Sequence, residues 1–168
     1  IQDAETINLC SSKGWHYFEK ENKCYLVEKK AKNRQEWQDA RKKCKEYNKD
    51  ADLACVHNED EQNSIAKLTK SNKWITTFWI GGFIKAHQES TSITWIDEST
   101  AQWSNWGSGQ PYKSESESDT YLSLYYKNME NNVWHNWHMN AKFGFVCERN
   151  SIEIKNPETN RIPEAETE

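Results

Sequence analysis

The stretch Trp134-His135-Asn136-Trp137-His138-Met139-Asn140-Ala141-Lys142-Phe143-Gly144-Phe145-Val146-Cys147-Glu148-Arg149 decides how this chain folds. Its second half alternates, placing Phe143, Phe145 and Cys147 on one face of a strand and Gly144, Val146 and Glu148 on the other. Cys147 needs a partner from far away in the chain, so this strand closes the fold.

Around that strand the chain has the size of one domain, 168 residues with no long internal linker. Nine Trp, seven Tyr and five Phe supply large, stiff core pieces. A mean hydropathy of -1.08 and a charged fraction of 29% make the remainder strongly polar. That balance fits short strands and ordered loops better than a helical bundle. The net charge of -4 comes partly from acids after Cys147, whereas Lys and Arg crowd residues 29 to 45 on an expected helix. Acids interleave there, which reads as a solvated helix face and not as a nucleic-acid surface. No run approaches the ~20 apolar residues of a membrane span, and Ile1 reads as a mature or trimmed N-terminus. None of the five cysteines forms a C-x-x-C pair, which favours disulfides and an oxidising compartment over a metal site. No Asn-x-Ser/Thr sequon is present.

In chain order, residues 1–9 form a polar lead-in. Trp15 and Tyr17, then Tyr25 and Val27, alternate around the turn Glu19–Lys23 as a hairpin flanked by Cys10 and Cys24. A bond between those two cysteines closes a short loop worth ~3 kcal/mol. Asn33 and Glu36 have capping-box spacing, and Trp37, Ala40, Cys44 and Tyr47 recur at helical spacing until Asn48-Lys49-Asp50. A short apolar strand follows at Leu53–Val56. Asn58 and Glu61 then cap a second helix whose buried stripe includes Ile65 and Leu68. Thr76–Ile80 reads as a buried strand that leaves the core at a flexible Gly81-Gly82 turn. From there to Asp119 runs a long loop pinned by Trp95, Trp103 and Trp106. Tyr121–Tyr126 and Val133–Trp134 read as strands, and the acidic, Pro-containing residues 150–168 as a disordered tail.

These residues fall into a known order. Gly14-Trp15, Cys24-Tyr25, Trp37-x-x-Ala40-x-x-x-Cys44, Leu53-Ala54, Glu61, Trp79-Ile80-Gly81-Gly82, Trp95, Trp103-x-x-Trp106, Gly109-Gln110-Pro111 and Phe145-Val146-Cys147-Glu148 together resemble the C-type lectin-like domain over residues 10–149. The resemblance implies an α+β fold of two helices beside antiparallel strands, with a long projecting loop. It implies a Cys44–Cys147 disulfide, worth ~4–5 kcal/mol, and a Cys10–Cys24 bond of the longer family form. Thr120 and Met139 stand where a second family disulfide lies, so its two partners are lost together. Cys55 is left as the odd cysteine, expected as a buried free thiol, with an interchain disulfide and a covalent dimer as the alternative.

The sugar-binding members coordinate calcium through positions matched here by Gln110 and Tyr112 around Pro111, then Ser118, then His135 and Asn136. No carboxylate occupies any of the five, whereas calcium wants six to eight oxygens with several charged. Glu115, Glu117 and Asp119 lie in the same loop and read as a solvated acidic patch, not a rebuilt ion cage. His135 and His138, three apart on a strand or tight loop, point to opposite faces with no third ligand, so no metal is expected there. His16, His57 and His87 are scattered, no serine sits in a nucleophile elbow, and the apolar setting of Cys55 raises its thiol pKa. An enzyme is therefore not expected, nor any cofactor.

The expected function is a secreted, extracellular recognition module that binds a protein or glycan partner without the usual calcium site. Tyr112, Trp137 and Tyr126 are its candidate aromatic anchors, and Gln110, His135 and Asn136 its hydrogen-bonding groups. Glu115, Glu117 and Asp119 would steer basic partners. The rival reading is a calcium-dependent carbohydrate-binding lectin with a remodelled Gln110-Pro111-Tyr112 site; a third is a dimerising component linked through Cys55.

Overall fold

Alternation and cysteine placement carry over directly into the architecture. The computed structural model describes residues 7–8, 10, 13–70, 74–113, 117–128, 131–151 and 153–154. In chain order the elements are β1 (Ile7–Asn8), β2 (His16–Phe18), β3 (Lys23–Glu28), α1 (Trp37–Tyr47), β4 (Asp52–Leu53), α2 (Glu59–Thr69), β5 (Thr77–Ile84), β6 (Thr94–Trp95), β7 (Thr120–Asn128), β8 (Asn131–Trp137), β9 (Gly144–Asn150) and β10 (Glu153–Ile154). The main sheet has the order β2-β3-β9-β5-β7-β8, with β4 on β9 and β6 on β5. All its pairings are antiparallel except β5 with β9, where Phe78 and Trp79 face Gly144 and Phe145. The expected α+β fold is the one observed.

The last strand closes the molecule as its cysteine implied. Cys147 bonds to Cys44 of α1 across a sequence separation of 103, with Cα atoms 5.5 Å apart, and Cys10 bonds to Cys24. Buried indoles finish the two core clusters, and three of them have their N–H groups satisfied, whereas the Trp95 N–H has no hydrogen-bond partner among the described residues. Trp37 donates to the Ile80 carbonyl, Trp79 to that of Gln35, and Trp134 to Gln62 Oε1. Cys55 is fully buried and unbonded, so no surface is offered for an interchain disulfide and the covalent-dimer reading fails on access.

Four local expectations are corrected. Gly81-Gly82 is not a turn: β5 runs through both glycines, with a register shift against β7 between Trp79 and Phe83. A Cβ at Gly81 would stand 2.8 Å from the Leu53 carbonyl oxygen, so glycine is required there by close packing. The capping box at Asn33 does not form; α1 starts after Glu36 with no side-chain cap. Instead, the Asn33 amide donates to Glu28 Oε1 from a 3-10 turn at Ala31–Asn33. The apolar Leu53–Val56 pairs as a strand only at Asp52–Leu53. Finally, the lead-in and tail are not wholly without structure, because Ile7 and Asn8 pair with Ile154 and Glu153. The rest of the expected tail, 155–168, lies outside the described residues. The cap at α2 does form, with Asn58 Oδ1 accepting from the Glu61 amide.

Candidate functional site

Three tryptophans converge edge-on on Trp134 and so pin the long loop: Trp95 and Trp103 at 5.5 Å and Trp106 at 5.9 Å between ring centroids. The loop backbone docks beside β8, with the Trp134 amide donating to the Asn105 carbonyl and the Gly107 amide to that of Trp134. Past this anchor the chain turns at Gly109, whose φ of +74° suits glycine, and passes through a cis Gln110-Pro111 bond.

Tyr112 is then seized by one side chain. Asn136, 3% exposed on β8, accepts the Tyr112 amide proton at Oδ1 (2.8 Å). Its Nδ2 donates to the Tyr112 carbonyl (2.9 Å) and to Thr120 Oγ1 (2.9 Å). The carboxamide thus acts as a piece of β-ladder, and the threonine standing in for a family cysteine completes it.

This clamp shapes one wall of a cleft of about 380 Å³. Its lining includes Ile84, His87, Glu89, Tyr112, Lys113 and Glu117. Tyr112 is 42% exposed, and His87 holds a left-handed backbone at φ 60°. Asp119 spans the walls by accepting the Ala86 amide at 2.8 Å, so it braces the cleft and is not a free steering acid. Glu117 is exposed at the rim; Glu115 lies outside the described residues.

His135 and Trp137 belong elsewhere. Strand alternation sends them to the face opposite Asn136, so the expected trio of Gln110, His135 and Asn136 does not assemble. The His135 ring packs on Tyr125 at 4.6 Å, and burial pushes its pKa down, leaving a neutral imidazole at pH 7. Trp137, 39% exposed, rests against Phe143 and His138. Tyr126 is a core residue, 8% exposed, with its hydroxyl bonded to Thr69, Ala66 and Asn132, and cannot anchor a partner.

The family's calcium ligands do not translate into a cage here. Asn136 Oδ1 already accepts a main-chain proton, His135 faces away, and Tyr112 contributes no charged oxygen. Gln110 Oε1 is buried without a hydrogen-bond partner among the described residues. Five positions without a carboxylate do not fit a hard divalent ion that wants several charged oxygens. The Ile84–Thr91 wall of the cleft and Lys113 were missed from sequence, since nothing in a polar loop marks which residues will face a pocket.

Comparisons with known proteins agree with this geometry. A family profile described as "Lectin C-type domain" matches residues 33–149. The chain is similar to the alpha-1 polypeptide of the snaclec agglucetin from Deinagkistrodon acutus, with 28% identity over 80% of this chain and 79% of that one. It is 30% identical to a snaclec coagulation factor IX/factor X-binding protein of Protobothrops flavoviridis, over 80% of this chain and 82% of the relative. Among solved structures, the EPNH mutant of CEL-I superposes with a TM-score of 0.69 at 20% identity, covering 84% of this chain and 97% of that one. With its two helices, its mixed sheet and its disulfide from α1 to the closing strand, this chain belongs to the C-type lectin domain family.

Proposed function

We propose that this domain is a secreted recognition module that binds an extracellular protein or glycan through the Tyr112 cleft, without calcium and without catalysis. The observation that carries the reading is Asn136: its carboxamide oxygen and nitrogen are engaged in holding Tyr112 and Thr120, so recognition falls to the exposed surface they support. That surface offers an aromatic ring, cations at Lys85 and Lys113 and acids at Glu89 and Glu117, a mixture that suits a polar segment of a protein or a sugar chain. The Protobothrops relative is named as a binder of coagulation factors, which supports a protein partner.

Among the described residues no helix is long and apolar enough to cross a membrane. Two disulfides favour an oxidising, extracellular setting.

The calcium-dependent reading retains one support, the unpartnered Gln110 Oε1. Calorimetric titration with calcium separates the two. The proposal expects no saturable heat up to millimolar calcium, and partner capture on protein and glycan arrays that persists in EDTA. Capture that disappears in EDTA and returns with calcium would sink it.

A further inference from the structure

A second cluster, sharing no residue with the cleft, gathers three metal-ligating side chains. Cys55 and His57 lie two apart on the extended connection between β4 and α2, so alternation turns both toward one side. The turn after β6 supplies Asp97. The Cys55 sulfur, an imidazole nitrogen of His57 and a carboxylate oxygen of Asp97 all lie within 4.8 Å of one another.

Details of the contact point to a cation. His57 Nε2 is buried 2.8 Å from Asp97 Oδ2 yet has no hydrogen-bond partner of acceptable geometry. The other ring nitrogen, Nδ1, faces Glu61 Oε2 at 3.3 Å. Glu61 and Asp97 raise the His57 pKa, so the position where Nε2 meets the Asp97 carboxylate attracts positive charge, which a proton supplies in the free protein and a metal ion bound to both atoms would replace. Burial without an ion pushes the Cys55 thiol up, while the Asp97 main-chain amide, hydrogen-bonded to the sulfur, favours the thiolate. Behind this shell Lys23 bridges Glu61 (3.1 Å) and Glu148 (3.4 Å) and offsets part of their charge.

We propose that Cys55, His57 and Asp97 form a zinc site, with water in the fourth position and Glu61 orienting the imidazole. Thiolate, imidazole and carboxylate are zinc donors, and a carboxylate behind the histidine is the usual support for such a ligand. A hard ion such as calcium would not choose sulfur and nitrogen. On binding, the Cys55 S–H bond breaks, a sulfur–zinc bond forms, and the proton leaves to solvent. The ion would tie the β4–α2 connection to the β6 turn.

Because the other four cysteines are disulfide-bonded, Cys55 is the sole thiol and any metal–thiolate signal reports it alone. The test titrates the intact, metal-free protein with zinc, following thermal stability, and with cobalt, following near-ultraviolet charge-transfer absorption. One equivalent of zinc should raise the melting temperature, and cobalt should give the sulfur band. Cys55→Ser should abolish the band, and Asp97→Asn, a surface change that leaves the fold intact by circular dichroism, should weaken zinc binding at least ~10-fold. Absence of both the stabilisation and the band overturns the proposal. So does zinc binding that survives Cys55→Ser and Asp97→Asn unchanged, since that ion lies elsewhere.

Discussion

Asn136→Asp turns the clamping carboxamide into a carboxylate, and the structure makes it destabilising. One carboxylate oxygen still accepts the Tyr112 amide proton, but the other replaces Nδ2 and faces the Tyr112 carbonyl at 2.9 Å and Thr120 Oγ1 at 2.9 Å. The threonine hydroxyl can rotate to donate, so one of those two contacts is kept. The Tyr112 carbonyl loses its donor and confronts a negative oxygen. A buried acceptor left in that state costs ~1–3 kcal/mol, so the variant should melt about 2–12 °C below the wild type. Asn136→Ala forfeits all three bonds and should cost about 3 kcal/mol. The assay is thermal or urea denaturation in EDTA and again in millimolar calcium. If Asn136→Asp is as stable as the wild type in EDTA, or if calcium raises the melting temperature of the wild type, the clamp is refuted.

Tyr112→Ala should reduce partner capture at least ~10-fold while shifting stability by less than about 0.5 kcal/mol, because its exposed ring supports no core; matched binding and melting measurements check both halves. Asp119→Ala removes the acceptor for the Ala86 amide and should cost ~1–2 kcal/mol, with faster hydrogen exchange at Ala86 as its local signature. The carboxylates on Lys23 predict opposite pH effects. Burial tends to raise Glu61, but the His57 hydrogen bonds and Lys23 prevail and hold it at about 2, so its stabilisation, full above pH 4.5, is lost as pH falls toward 2. Burial pushes Glu148 up to about 7 despite Lys23, so its contribution, full below pH 4.5, is lost as pH rises through 7. Glu148→Gln should therefore remove a loss on the order of 3 kcal/mol between pH 4.5 and 8, read from urea melts in a chelator; an unchanged slope would contradict the assignment.

The two kinds of information separate cleanly in particular residues. Periodicity and motif order in the sequence determined the family, the α+β class, the hairpin, both helices and the closing strand, because short-range spacing and buried aromatic positions are written into the chain itself. The cysteines and the resemblance together carried the two disulfide pairings. The Asn33 cap failed because Glu28, on another element, outcompeted the local partner, and the Gly81-Gly82 turn failed because close packing against Leu53 accounts for glycine as well as flexibility does.

Only the tertiary structure decided what the candidate groups do. Asn136, read as a free hydrogen-bonding group, is spent on Tyr112; Asp119 braces the cleft; His135 faces the other way; and Cys55 meets His57 and Asp97. The physical reason is that these roles depend on strand register and loop path, which bring residues tens of positions apart within hydrogen-bond distance. Such distances are set by packing of the whole core, whereas the identity of each side chain fixes only what it is able to offer when it arrives.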